Sequence, residues 1–157
     1  MLDLSGDQIQ KLGDGDLREL VSRLCAAELR RLGLPESAVT SGGDQNAADG
    51  GVDVRVELDS DVSAQLDFVR AAATGYQVKA QDMAAADIGE EMKPGGVLRP
   101  AICSLAARGG AYVIVSSKGS ATDAALQRRL KAMRSAASSE PGGARLVVDF
   151  YDRTRLA

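Results

Sequence analysis

Residues 111–117 read AYVIVSS, and this run decides the fold. An almost unbroken apolar stretch of this length fits a strand covered on both faces, so helices must lie on each side of its sheet. Just before it, VLRPAICSLAAR (97–108) reads as a short helix with Pro100 near its start. Just after it, SATDAALQRRLKAMRSAA (120–137) reads as a helix capped by Ser120 or Thr122. A turn, SSEPGG, then leads to a last strand over ARLVVDFYD, 144–152. Further upstream, VDVRVEL (52–58) and GYQVKAQ (75–81) both alternate as half-buried strands do. The first long helix runs from Asp16, its N-cap, through LRELVSRLCAAELRRL to Gly33, with Pro35 beyond the stop. Residues 1–15 form a polar lead-in, 40–51 a glycine-rich loop, and 82–96 a polar stretch with a Pro-Gly-Gly break. Residues 59–74 fit either a further strand or a hairpin arm. This order predicts an α/β three-layer sandwich, a central mixed β-sheet flanked by helices, as one domain over residues 16–157. The ending DRTRLA reads as a domain cut from a longer protein.

Composition narrows the chemistry. The chain has 157 residues, 45% hydrophobic and 26% charged, as an ordinary folded domain does. No apolar run approaches the roughly 18 residues of a membrane span. The acidic, polar N-terminus is not a signal peptide. Cys25 and Cys103 sit in apolar helical patterns, where reduced thiols are expected, so the reading is an intracellular, cytoplasmic protein without disulfides or membrane contact.

There is no histidine. That excludes Ser-His-Asp and Cys-His catalysis, zincins and Cys2His2 zinc fingers. A metal would have to be held by oxygen, which favours magnesium or manganese. Acid–base work would fall to carboxylates, lysine, tyrosine or metal-bound water. The net charge of −3 argues against a wholly basic nucleic-acid module, and the scarcity of aromatics against a stacking platform for single strands.

Three features stand out against this background. At about 100° per residue, Glu28 falls within the apolar stripe of Leu17, Leu20, Val21, Leu24 and Leu32. A carboxylate facing a core costs several kcal/mol, about the same order as a buried unpaired charge, unless it meets a cation or metal. A buried salt bridge, or a helix whose end has left the core, is the alternative and, for Glu28 alone, the favoured reading. Asp53 opens a strand whose apolar face is Val52, Val54, Val56 and Leu58; it shares the other face with Arg55 and Glu57, and a solvated face is the alternative reading. Gln77 and Lys79 share one strand face, their tips roughly 7 Å apart, close enough to grip one phosphate. Pairing of the two strands would set Asp53 beside them. An aspartate and an amide oxygen hold a hard cation, and a neighbouring lysine orients water and offsets charge in a phosphoryl-transfer transition state.

The run GGDQNAADGGVDVRV followed by GYQVKA resembles the PD-(D/E)xK nuclease superfamily, in its Mrr-like restriction-endonuclease branch. Asp53 matches the motif aspartate, Gln77 the variant acidic position and Lys79 the catalytic lysine. Glu28 matches the first-helix glutamate that commonly completes the metal site. The resemblance implies a restriction-endonuclease-like sandwich and a magnesium- or manganese-dependent endonuclease cutting double-stranded DNA. It implies Glu28, Asp53, Gln77 and the Val78 carbonyl as metal ligands, and Lys79 as the group that positions or activates water. KPGGVLRPAI, GGAYVIVSS and DFYDRTRLA are similar to nuclease-like N-terminal domains of large bacterial antiphage NTPases. That likeness implies an antiviral defence effector, C-terminal NTPase or sensor regions as partners, and a homo-oligomer when active. The neutral Gln77 gives a metal less charge than glutamate would.

LQRRLKAMR (126–134) carries Arg128, Arg129, Lys131 and Arg134 with no acid between them. Phosphate contact without sequence readout is the functional expectation, and a solvated helix face the alternative. An inactive nuclease fold used for assembly, and an RNA-cleaving relative, remain open beside the DNA endonuclease.

Overall fold

The computed structural model describes residues 4–41, 52–59, 66–118 and 122–156. Its strands are β1 (Val39–Ser41), β2 (Val54–Glu57), β3 (Ala73–Lys79), β4 (Ala111–Ser116) and β5 (Val147–Tyr151). They form one sheet in the order β1-β2-β3-β4-β5. β2 pairs antiparallel with both β1 and β3, whereas β3–β4 and β4–β5 are parallel. The sheet is therefore mixed, as expected.

β4 shows why the apolar run was decisive. All its residues are buried. Val113 and Val115 join one core, and Tyr112 and Ile114 join the other. The first core is covered by α1 (Gly6–Gln10), α2 (Asp14–Arg31) and α6 (Arg153–Leu156), through Ile9, Leu17, Val21, Cys25, Leu29 and Leu156. The second is covered by α3 (Ala85–Met92), α4 (Pro100–Ala107) and α5 (Asp123–Ala137), through Ile88, Met92, Ile102, Leu105, Met133 and Ala136. The result is a three-layer α/β sandwich. Among the described residues no helix is long and apolar enough to cross a membrane. Both cysteines are free; Cys25 is buried and Cys103 half-buried.

Several boundaries differ from the sequence reading. α2 begins at Asp14 with Gly13 as N-cap, so Asp16 lies in the first turn and is not the cap. Both aspartates still sit where the helix dipole favours negative charge. Gly33, at φ +71°, takes the left-handed conformation that ends the helix. The polar lead-in contains α1, whose Ile9 is fully buried. Thr40 and Ser41, read as loop, belong to β1, and the rest of the glycine-rich loop lies outside the described residues. So do 60–65; the remainder of 59–74 leads irregularly into β3. β5 starts at Val147 because Gly143–Arg145 forms a 3-10 turn after Gly142, at φ +81°. Thr122 caps α5, its Oγ1 accepting the Ala125 N–H at 3.2 Å, whereas Ser120 lies outside the described residues. The polar stretch 82–96 contains α3, which the sequence reading did not anticipate.

Candidate active site

β2 and β3 are adjacent, with Val54 opposite Tyr76. Asp53 stands one residue beyond the last ladder pair. Its N–H still reaches the Tyr76 carbonyl at 2.7 Å. Its Oδ2 accepts the Val78 N–H at 2.8 Å, so the side chain continues the strand pairing where the backbone stops. That bond fixes the carboxylate beside the residue between Gln77 and Lys79. Arg18 on α2 brings its guanidinium to 4.0 Å from Asp53 Oδ1.

Alternation along β3 places Tyr76 and Val78 in the α2-side core and turns Gln77 and Lys79 to the α3 side. Gln81 does not extend this polar face. β3 ends at Lys79, the Gln81 side chain turns to Met83 Sδ at 3.7 Å, and its carbonyl accepts the Ser116 hydroxyl.

Glu91 on α3 gathers the polar face. Its Oε1 accepts Gln77 Nε2 at 2.7 Å and lies 3.5 Å from both Lys79 Nζ and an Arg99 terminal nitrogen. Arg99 Nε also donates to the Glu91 carbonyl at 2.6 Å. Gln77 is only 4% exposed. A carboxylate only accepts, so the NH2 group of Gln77 must face Glu91 and its Oε1 must face away. That buried oxygen has no hydrogen-bond partner among the described residues. On the same side of the sheet is Tyr112, whose wholly buried hydroxyl also has no partner among the described residues. Burial pushes that phenol up first, and the charge of Glu91 pushes it further; Arg99 acts in the opposite sense and Asp53 in the same one. The hydroxyl thus lies in the field of the same cluster.

The donor set suits a hard divalent cation. Asp53 offers a carboxylate oxygen and Gln77 a buried amide oxygen without a hydrogen-bond partner among the described residues, both ligand types that such a cation takes. Among the described residues no three Asp, Glu, Cys or His side chains gather as a metal cluster, so the charge available is modest. Val78 enters the site through its backbone, its side chain being buried in the other core.

Glu28 is not brought to this site. It is buried on α2, at 7% exposure, on the opposite face of the sheet. Its Oε1 accepts the N–H groups of Asp67 and Phe68, each at 2.9 Å, and its Oε2 accepts that of Val69 at 2.6 Å. Arg31 stands 3.7 Å away. The carboxylate answers three otherwise orphaned backbone donors, which explains its place on an apolar stripe without a metal. From the other side, the Tyr76 and Tyr151 hydroxyls both donate to the Phe68 carbonyl, at 2.9 and 2.8 Å. Glu28 therefore clamps the segment that enters β3.

The basic run on α5 divides. Arg128, Lys131 and Arg134 are exposed. Lys131 and Arg134 border a groove of about 370 Å³ with Ser135, Ser138 and Leu146. Arg129 instead folds inward at 13% exposure: its Nε donates to the Met83 carbonyl at 2.7 Å, and its guanidinium lies over the Phe150 ring. It is a packing residue, not a phosphate contact. Sequence reasoning missed Glu91, Arg99 and Tyr112. Only Glu91 left a trace, as an acid in a polar stretch.

No protein-family model, curated protein or solved structure matches this chain. The likeness to the PD-(D/E)xK superfamily rests on the motif residues themselves.

Proposed function

We propose that this chain is a metal-dependent endonuclease domain that hydrolyses DNA phosphodiester bonds. The observation that carries the reading is the meeting of Asp53 with the Gln77–Lys79 strand, with a buried Gln77 oxygen left open. Asp53 and Gln77 would hold magnesium or manganese. When bound, such a cation supplies charge neutralisation and a more acidic water. Asp53 is held for that task by the Val78 amide, and Gln77 by Glu91. Lys79 is 30% exposed and can turn from Glu91 towards a phosphate, where it orients the attacking water and offsets charge on the phosphoryl oxygens. Attack forms a new P–O bond as the ester P–O bond breaks, and the proton of the water ends on the leaving oxygen. Arg128, Lys131 and Arg134 would hold DNA by its phosphates, giving affinity without sequence choice. A cytoplasmic antiphage effector, joined to NTPase or sensor regions and active as a homo-oligomer, is the setting that the sequence likeness supports.

The test is cleavage of supercoiled plasmid in magnesium or manganese, with RNA as a parallel substrate. A fusion to a tetramerising module raises the number of phosphate contacts per particle. Conversion of plasmid by the wild type, and none by folded Lys79→Ala or in chelator, is the expected result. Equal cleavage by folded Lys79→Ala, or preference for RNA, overturns the reading, as does inactivity of both free and fused forms.

A further inference from the structure

The Gln77–Glu91 contact is the most constrained part of the polar face. A 2.7 Å bond joins an amide that is nearly inaccessible to a carboxylate that only accepts. We propose that Glu91 is a positioning residue and that Gln77 and Glu91 work as one unit: Glu91 fixes the amide so that Oε1 faces the cation position, and the pair requires an amide at residue 77. The cation half of this inference rests on the proposed function above; the pairing half does not.

The chemistry of position 77 follows from the geometry. Its side chain must donate to Glu91 and, through its oxygen, coordinate a cation. Glutamine does both. Glutamate at the same place would set two acceptors 2.7 Å apart where little water can screen them. Lys79 and Arg99, each 3.5 Å from the same Oε1, screen two facing carboxylates in part but do not replace the 2.7 Å bond that Gln77 supplies. Without Glu91, nothing in the contacts of Gln77 would select which end of its amide faces the cation.

Two measurements on the full chain test this. The first is thermal unfolding of metal-free protein. Gln77→Glu should lower Tm by about 5 °C or more for a domain of this size. Adding Glu91→Gln to that variant exchanges amide and carboxylate, restores the donor–acceptor match and should recover most of the loss. An exchanged protein no more stable than Gln77→Glu alone overturns the pairing. The second is calorimetric titration with Mn2+ in the absence of DNA. Gln77→Ala and Glu91→Ala should each weaken binding about tenfold, and the double alanine variant should bind no more weakly than Gln77→Ala, because Glu91 acts only through the amide. Additive losses, about a hundredfold together, would make Glu91 a ligand in its own right and overturn the positioning role. So would an unchanged affinity in Glu91→Ala. A wild type that binds no Mn2+ overturns the cation half and the proposed function together, while the unfolding data still decide the pairing.

Discussion

Two glutamates, one on each face of the sheet, are both largely withdrawn from water and do opposite things. Glu28 has a side-chain exposure of 7% and Glu91 of 17%. Glu28 meets three backbone N–H groups, which cannot move without unfolding the segment that carries them. Glu91 meets an amide, an ammonium and a guanidinium, all on side chains, and one of these partners keeps an open oxygen. Fixed backbone donors turn a carboxylate into a strut. Side-chain donors on flexible stems leave a site whose members can exchange partners when a ligand arrives. Burial of a carboxylate does not by itself tell a strut from a candidate site; whether its donors are fixed or free to turn separates the two.

The strongest way to break this comparison is to remove the strut. Glu28→Ala leaves the buried N–H groups of Phe68 and Val69 and the part-buried one of Asp67 without an acceptor, each having lost a charge-assisted bond. The loss should be about 4 kcal/mol, read as a fall in the denaturation midpoint at constant slope. A loss below about 1 kcal/mol would mean that water reaches these amides and that the clamp is not structural.

The site should respond in the other way. Glu91→Ala should cost about 1 to 2 kcal/mol, well below Glu28→Ala: it leaves one nearly buried amide, that of Gln77, without its acceptor, while Lys79 and Arg99 are partly exposed and turn to water. Plasmid cleavage should fall about a hundredfold, a loss of about 2.7 kcal/mol in transition-state stabilisation. If Glu91→Ala unfolds as readily as Glu28→Ala, the two carboxylates are the same kind of residue and the contrast fails.

The sequence showed the sheet and half of the site. AYVIVSS states its cover on both faces, and the alternating segments state direction, since side chains on a strand have a period of two; they do not state burial, for Gln77 on the polar face is nearly inaccessible and Val52 packs on the core opposite to Val54. Asp53, Gln77 and Lys79 were legible from that period. Glu91 was not. α3 has only Ile88 and Met92 as buried anchors and carries Gly89 within its span, too little pattern to announce a helix. Nor does any local signal tell which strand residue a short helix will meet. Glu28 was legible as an anomaly but not as a clamp, because its partners at Asp67–Val69 are 39 to 41 residues away. Arg129 looked like its neighbours in the basic run. Only the fold shows that it faces Phe150 and the Met83 carbonyl.

That division sharpens the contrast between inward and outward charge on α5. Arg129→Ala should cost about 1.5 kcal/mol, from one buried hydrogen bond and a cation–π contact. Arg128→Ala, one residue earlier and exposed, should change stability by less than about 0.5 kcal/mol. DNA affinity should answer in reverse: Arg128→Ala reduces its salt dependence, and Arg129→Ala, once folded, does not. Equal stability losses would show that Arg129 is no more anchored than its neighbour.

The smallest expected effect lies on the Glu28 side and appears only in alkali. Cys25 packs beneath Glu28, and its thiol is pushed up to about 12 from 9.0, by burial first; a bond with Tyr76 works against the shift and the charge of Glu28 adds to it. Below pH 9 the thiol is protonated whether the chain is folded or not, so it adds no pH dependence. Above pH 9 the unfolded chain releases a proton that the folded chain retains. The unfolded state then binds fewer protons, and stability falls as pH rises, by up to about 1.4 kcal/mol per pH unit for one group. The loss should reach about 1 kcal/mol by pH 10 and continue towards pH 12. Tyr76 and Tyr151, raised by the same burial from a starting value of 10.0, add to it only in the upper part of that range. Denaturant unfolding of wild type and Cys25→Ala at pH 8.0, 9.0 and 10.0 isolates the thiol. The variant should be less stable at pH 8.0 for want of packing, yet lose less between pH 9.0 and 10.0. Parallel losses in the two proteins would show that the thiol is hydrated, and that the α2 side of the sheet is not the dry face that the Glu28 clamp requires.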